Sequence, residues 1–432
     1  MRSKVVDFLD ELGVNPDNVH MDNLCDSFTS EMQKGLKGEP SSLAMIAAYI
    51  GPDATIVPGE KVIVIDAGGT NLRTCLVTFD TLLKPIITHF KKTSMPGIAK
   101  EVSKKEFFSI FADQIEDIID LSDKIGFCFS YAATITSDHD GTPIAFSKEI
   151  KAPEVIGVKV GASLLDELAS RGFSVAHKKV AVVNDTVATL LAGLAEGATK
   201  HYDSYVGFIL GTGTNTAYFE QTQYITKIPH LAPGSMVINV ESGNFAGPRG
   251  KADELFCNTT KNPAIYHFEK MISGAYLGAF ASFLIHKAMD QHLFSQDFCT
   301  RFIKEGDVNT TEMSHYLEMP FNLDYKLVRC VENNEEDALT LYTIIDTVIQ
   351  RAGKQTAANL ASTILKSGAG LDPRRPVCIN ADGTTFYKTA HLEKYTHFYL
   401  EQFLRQKHHR SFDFVCIDNS PTIGAAIAAL SL

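Results

Sequence analysis

The period of the apolar positions changes along the chain and marks out its elements. Val5, Phe8, Leu9 and Leu12 recur at helical spacing, so the segment up to about Ile50 is predicted to be helical. Gly51-Pro-Asp and then Pro58-Gly59 interrupt that pattern and announce a new domain. Two apolar runs flank a Gly-Gly-Thr turn between Lys61 and Phe79, which predicts a hairpin, and Pro85–Phe90 predicts a third strand. Phe107, Phe108, Phe111, Ile115, Ile118 and Ile119 return to helical spacing. A strand over Ile125–Ser130, a helix over Val160–Ser170, a strand over Val180–Asp185 and a helix from Thr186 follow.

The second half begins in the same way. Tyr205–Phe219 predicts a hairpin around Gly211-Thr212-Gly213-Thr214-Asn215, and Met236–Glu241 predicts the next strand. Long helical stretches lead to a strand at Val377–Asn380, a helix from about Lys388, a strand at Phe414–Ile417 and an alanine-rich helix ending at Leu430. Hairpin plus strand, then alternating helix and strand, stated twice, implies two α/β domains with mixed sheets. No short-period repeat is present, which argues against a solenoid.

Composition narrows the function classes. A chain of 432 residues exceeds what one core usually serves, and 45% apolar with 21% charged residues is an ordinary globular balance. A net charge of −11 argues against a nucleic-acid surface. The eight cysteines (Cys25, Cys75, Cys128, Cys257, Cys299, Cys330, Cys378, Cys416) have no metal-ligand spacing and read as buried reduced thiols. The N-terminus lacks the apolar core of a signal peptide and no stretch spans a bilayer, so the expected location is the cytoplasm.

The two glycine turns carry the candidate chemistry. Glycine permits positive φ and close approach of backbone N–H groups to an anion, and threonine hydroxyls add donors. Two such loops suggest two domains facing a nucleotide. The phosphate loop GxxxxGK[ST] is absent, and Gly211-x-Gly213 opens a hairpin rather than a helix, so the dinucleotide fingerprint also fails. Asp66, ending the first strand of its hairpin, reads either as a turn residue or as a carboxylate beside a metal-bound phosphate, acting through water. Asp185, in Val183-Asn184-Asp185-Thr186, reads either as a helix N-cap or as a general base at the carboxyl edge of a sheet. Lys148, Glu241 and Glu269, taken one at a time, read as solvated or ion-paired charges.

Taken in order, these pieces resemble the hexokinase family from about Ile50 onward. Asp66-Ala-Gly-Gly-Thr-Asn-Leu-Arg73 is similar to its first phosphate loop, Ile125-Gly-Phe-Cys-Phe-Ser130 to its Gly-Phe-Thr-Phe-Ser strand, and Ser147-Lys148 to its sugar-binding Thr-Lys. Val183–Thr189 is unaltered, Gly211–Asn215 is similar to the second phosphate loop, and Asn239-Val-Glu241 to its Asn-Thr-Glu. Phe268–Gly278, Ala381–Thr384 and Thr422–Ala426 complete the series. The resemblance implies the actin-like ATPase (ribonuclease H-like) fold, with mixed sheets and a deep cleft between a small domain (60–183 plus 418–432) and a large one (1–59 plus 184–417).

The implied reaction moves the γ-phosphoryl of MgATP to the 6-hydroxyl of a hexose, the first step of glycolysis. Glucose is the expected sugar, with mannose or fructose as alternatives. By the same resemblance Asp185 is the base and Lys148 assists. Ser130, Ser147, Lys148, Asn184, Asp185, Asn215, Glu241 and Glu269 hold the sugar. Asp66, Gly68, Gly69, Thr70, Asn71, Arg73, Thr212, Gly213, Asp382, Gly383 and Thr384 serve ATP, with Asp66 on Mg²⁺ through water. The expected state is a monomer or homodimer with no nucleic-acid or membrane partner.

The chain departs from the family pattern at Tyr131-Ala132 (Phe-Pro in relatives), at Ser147-Lys148-Glu149 (Thr-Lys-Gly) and at Ser242 (Trp). The rival readings are an actin-like or chaperone-type ATPase and a non-catalytic sugar sensor. An ATPase has no use for the acid and amide cluster of Asn184, Asp185, Glu241 and Glu269, and a sensor has no need of Asp185 as base.

Overall fold

The structure, a computed structural model, describes residues 4–146, 150–196 and 200–432. Its first sheet has five strands in the order β4-β3-β2-β5-β8, formed by β2 (Val62–Gly68), β3 (Asn71–Phe79), β4 (Pro85–Ser94), β5 (Lys124–Phe129) and β8 (Lys179–Val183). β2, β3 and β4 run antiparallel, whereas β5 lies parallel to β2, and β8 parallel to β5. The second sheet has six strands in the order β1-β11-β10-β9-β12-β13. These are β1 (Ile46–Ala47), β9 (Ser204–Leu210), β10 (Thr214–Gln221), β11 (Ser235–Asn239), β12 (Val377–Asp382) and β13 (Phe412–Val415). An antiparallel hairpin and its neighbour again meet a parallel pair. A small ribbon, β6 (Ala133–Ile135) with β7 (Gly141–Pro143), stands apart.

Two helices lie between the sheets. Ser420–Leu430 packs on β2, β5 and β8, while Asp185–Glu196 packs on β9, β10 and β12, and the two helices pack against each other. Both are apolar on nearly every face, the pattern of a helix with no solvent side. Their contact depends on Gly424, where an added Cβ would lie 1.8 Å from the Ala188 carbonyl oxygen. One buried cluster joins these helices to strands of both sheets, including Val64, Val183, Ala217, Ile423 and Ala426.

Around the second sheet the 33-residue helix Glu335–Ser367 and its neighbours build the largest core. The helices Lys4–Glu11 and Met21–Lys37 pack into it through Phe8, Leu9, Phe28 and Met32. The Lys104–Ile115 and Val160–Ser170 helices cover the first sheet through Phe107, Phe111, Leu164 and Leu168. No helix among the described residues is long and apolar enough to cross a membrane.

Several element ends differ from the sequence reading. The strand from Val180 stops at Val183, and Asp185 is the first residue of a helix. The strand toward Glu241 stops at Asn239. The strand at Pro85 runs on to Ser94, and the helix through Phe111 ends at Ile115 before a 3-10 turn at Ile119–Leu121. The helix expected from about Lys388 is two helices, Thr384–Lys388 and Leu392–Leu400, and the strand expected at Phe414–Ile417 is β13 at Phe412–Val415. All eight cysteines are free, and Cys416 is exposed rather than buried.

Candidate active site

The carboxyl ends of β2 and β5 bring the first group together. In the β2–β3 register Asp66 faces Arg73, whose Nη1 donates to Asp66 Oδ2 at 2.7 Å. A Cβ added to Gly68 would lie 3.2 Å from both Asp66 Oδ1 and Ser130 Oγ, so glycine lets the turn approach these side chains. Gly69 does take the positive φ expected of the turn, at +57°. The Ser130 amide donates to the Ala67 carbonyl at 3.1 Å, and the Tyr131 hydroxyl donates to the Gly69 carbonyl at 2.7 Å. Asn71 Nδ2 donates to Thr70 Oγ1 at 3.3 Å. Ser147 and Lys148, expected on the sugar, lie outside the described residues.

Between the sheets, the start of the Asp185–Glu196 helix settles a question left open by the sequence. The Asn184 carbonyl accepts the first helical bond from the Ala188 amide, and Asn184 Oδ1 accepts from the Thr186 amide at 2.9 Å. Asn184 is thus the capping residue. Asp185 Oδ1 shares the Thr186 amide at 2.8 Å, and the Ser130 hydroxyl lies near enough to favour its ionised form.

The second sheet supplies an interlocked set. Asn215 Nδ2 donates to Asn239 Oδ1 at 2.7 Å, and Asn239 Nδ2 donates to Glu241 Oε1 at 2.8 Å. Asn215 Oδ1 accepts from the Thr216 amide at 2.7 Å and the Ser242 amide at 3.3 Å. Glu241 sits in the left-handed region, with φ 59° and ψ 46°, a conformation a glutamate holds only when its surroundings enforce it. Glu269 Oε2 accepts from the Thr214 amide at 3.1 Å. The second glycine turn works differently from the first, because neither Gly211 nor Gly213 has a positive φ. Gly213 is needed for room: an added Cβ would lie 2.6 Å from Glu269 Oε2.

The five acids form a line that crosses the cleft. Burial pushes Asp66, Asp185, Glu241 and Glu269 above their ordinary values. Each also feels a neighbour of like charge: Asp382 acts on Asp66, Asp66 on Asp185, Asp185 on Glu241, and Glu241 on Glu269. Arg73 opposes the shift at Asp66, and hydrogen bonds from Ser130 and Thr186 oppose it at Asp185.

On the far side of the second turn a cavity of about 810 Å³ opens, lined by Thr212, Gly274, Ala275, Thr310, Thr384 and Lys388 among others. Thr385 Oγ1 and the Gly274 amide both donate to the Gly211 carbonyl, at 2.8 and 2.9 Å, which seals the turn to this cavity. Gly383, at φ +119°, presses against the Leu210 carbonyl, and its amide donates to Asp382 Oδ1 at 2.6 Å.

Apart from Ser147 and Lys148, the residues expected at the site fall into three groups, of which Gly68, Gly69, Thr70, Asn71 and Arg73 form the β2–β3 hairpin turn beside Asp66. Asp66, Ser130, Asn184, Asp185, Asn215, Glu241, Glu269 and Asp382 share the carboxylate line, Thr212 and Thr384 line the cavity, and Gly213 and Gly383 neighbour those two in the chain. Sequence reasoning did not single out Asn239 or Thr214, whose value lies in the partners they hold, nor Thr310 and Lys388, which lack a local motif.

Comparison with known proteins agrees with this geometry. Family models described as hexokinase match residues 4–195 and 205–431. Hexokinase-7 of Oryza sativa subsp. japonica is 28% identical over 441 residues, covering 95% of this chain and 93% of that protein. A glucokinase of Aspergillus niger is 27% identical over 428 residues, covering 83% and 82%. In fold, the chain is similar to a Schistosoma mansoni hexokinase complexed with glucose, with a TM-score of 0.77, 23% identity and 99% of each chain covered. Two mixed sheets around a packed helix pair, with the acids at their carboxyl edges, are the two-domain actin-like ATPase fold, and the chain belongs to the hexokinase family of hexose phosphotransferases.

Proposed function

We propose that the chain transfers the γ-phosphoryl of MgATP to the 6-hydroxyl of a hexose, with glucose the preferred sugar and mannose or fructose as alternatives, at the entry to glycolysis. The observation that carries this reading is the carboxylate line. Its acids stand beside amides and a serine, the donor and acceptor set that a polyhydroxylated ligand requires. Asp185 accepts the proton of the attacking hydroxyl. Burial raises its pKa above the ordinary carboxylate value, which makes it a stronger base than a solvated aspartate. The Thr186 amide and hydroxyl, at 2.8 and 3.3 Å from Asp185 Oδ1, hold its carboxylate in place.

Asn184, Asn215, Glu241 and Glu269 bind and orient the remaining hydroxyls, with Ser147 and Lys148 as further sugar ligands. A site in which every hydroxyl has a buried partner discriminates strongly between sugars. The nucleotide occupies the cavity beside Thr212 and Thr384, its phosphates reaching Gly68, Gly69, Thr70, Asn71 and Gly213.

The residues fit a divalent cation of the kind that keeps most of its own water. Asp66 and Asp382 are close enough to repel, and among the described residues no set of three or more acidic, histidine or cysteine side chains would encage the ion. Asp66 would hold Mg²⁺ through water, and the ion would supply positive charge that neutralises the phosphate oxygens. The small domain is taken as 60–183 plus 418–432 and the large as 1–59 plus 184–417. The cytoplasm is the proposed compartment, in keeping with eight free thiols, and the protein acts as a monomer or homodimer.

Two measurements test the reading. Asp185→Ala is expected to leave hexose binding measurable by calorimetry while turnover in a coupled assay falls by about 10²–10⁴-fold. Near-normal turnover would remove Asp185 from the role of base. A panel of glucose, mannose and fructose ranks the acceptors, and phosphorylation of none of them would overturn the assignment.

A further inference from the structure

The sugar-facing acids Glu241 and Glu269 are held from behind by one face of the long helix Glu335–Ser367. Three polar residues recur there at four-residue spacing, which places them on one stripe. All three are buried: Arg351, Gln355 and Asn359. The Arg351 guanidinium pairs with Asp253 and lies 3.7 Å from Met271 Sδ, and Gln355 Nε2 lies 3.3 Å from the same sulfur. Met271 belongs to the short helix His267–Ile272 that carries Glu269.

One turn further along, Asn359 Nδ2 donates to Thr216 Oγ1 at 2.7 Å, and that hydroxyl lies 3.2 Å from Ser242 Oγ. Thr216 and Ser242 are wholly buried. Their backbone amides converge on a single acceptor, Asn215 Oδ1. Side chains and main chain thus clamp β10 to the turn at Ser242–Asn244 from two directions. Residue 241, immediately before that turn, is the glutamate in the left-handed region. Such a backbone persists only where neighbours over-determine it.

We propose that Asn359, acting through Thr216 and Ser242, is a positioning residue for hexose binding: it fixes the backbone that presents Asn215 and Glu241 to the sugar. The residue touches no ligand itself. Its effect falls on hexose affinity and leaves nucleotide affinity alone, because the cavity beside Thr212 and Thr384 is lined by none of these side chains. The inference rests on the reading of Glu241 as a sugar ligand.

The test separates positioning from stability. Asn359→Leu leaves Thr216 without its donor, so both the melting temperature and the hexose KM should suffer. Thr216→Val, Ser242→Ala and Asn359→Leu combined remove all members of the network, and replacing both partners by apolar groups of similar shape restores stability. The triple variant is therefore expected to regain most of the melting temperature and still show a hexose KM raised on the order of tenfold, with the ATP KM within about twofold of the parent. Glu241→Gln, measured alongside, reports on the underlying reading. If Glu241→Gln raises the hexose KM but the triple variant matches the parent, the network is structural only and the proposal is overturned. If Glu241→Gln leaves the hexose KM unchanged, the sugar-site reading and the proposal both fall.

Discussion

Asp185 shows how a reactive group opposes the stability of the chain that carries it. Burial raises its carboxyl above the ordinary value, while hydrogen bonds from Ser130 and Thr186 work in the other direction. An acid raised on folding weakens the folded state fully above its folded pKa; the cost fades as the pH falls from there and is gone below the unfolded value of 3.8. Asp185→Asn keeps the shape and one acceptor but removes the charge. At neutral pH that variant should melt higher than the parent, by on the order of 1–3 °C, while losing turnover. The difference should shrink as the pH is lowered through the folded pKa of Asp185. Melting curves of the two proteins at several pH values decide it, and coincident curves at neutral pH would mean that the carboxylate carries no strain. Asp185 was legible because Val-Val-Asn-Asp-Thr puts an acid where a strand meets a helix. Glu241 and Glu269 were not legible singly, since an isolated glutamate is most often solvated. Asn359, Thr216 and Ser242 left no local signal, because their meaning lies in partners distant along the chain.

At the scale of elements, most strand and helix identities followed from periodicity and the ends did not. The segment read as helical up to about Ile50 leaves the helix at Lys37 and adds β1 at Ile46–Ala47 to the second sheet, and the β6–β7 ribbon was not foreseen. The sequence reading carried the strand to Asp185, but the Asn184 side chain caps the following helix and stops the ladder at Val183. Likewise Glu241 turns left-handed two residues beyond the end of β11 at Asn239. The packing of Asp185–Glu196 against Ser420–Leu430 was invisible for a different reason. An alanine-rich apolar helix announces burial but not its neighbour. Gly424 fixes how near the two axes come, and the obstacle it avoids is backbone, the Ala188 carbonyl, which cannot swing aside. Gly424→Ala should therefore cost about 1–3 kcal/mol or more in a urea titration, although alanine is the better helix former. A midpoint equal to or above the parent's would show that the helices have room to spare.

For the whole molecule, the acids are distributed so that neither sheet completes the site. Asp66 lies near the carboxyl end of β2 of the first sheet, Glu241 and Glu269 adjoin β11 and β10 of the second, and Asp185 heads a helix between them. Like charges facing one another across the cleft resist its closure, whereas hexose hydroxyls donating to both sides favour it. Bound sugar should then shrink the radius of gyration in small-angle scattering and raise the melting temperature, with about 2.7 kcal/mol of stabilisation at a hundred times Kd. Hydroxyl donors favour the ionised form of their acceptors. Binding should accordingly release protons and weaken as the pH falls through the folded pKa values of Glu241 and Glu269, which lie above the ordinary 4.5. Calorimetry in two buffers of different ionisation enthalpy measures that proton release directly. Glu241→Gln should reduce the released protons and require more hexose for the same compaction. A binding constant flat across that acidic range would show that neither glutamate meets the sugar as a carboxylate.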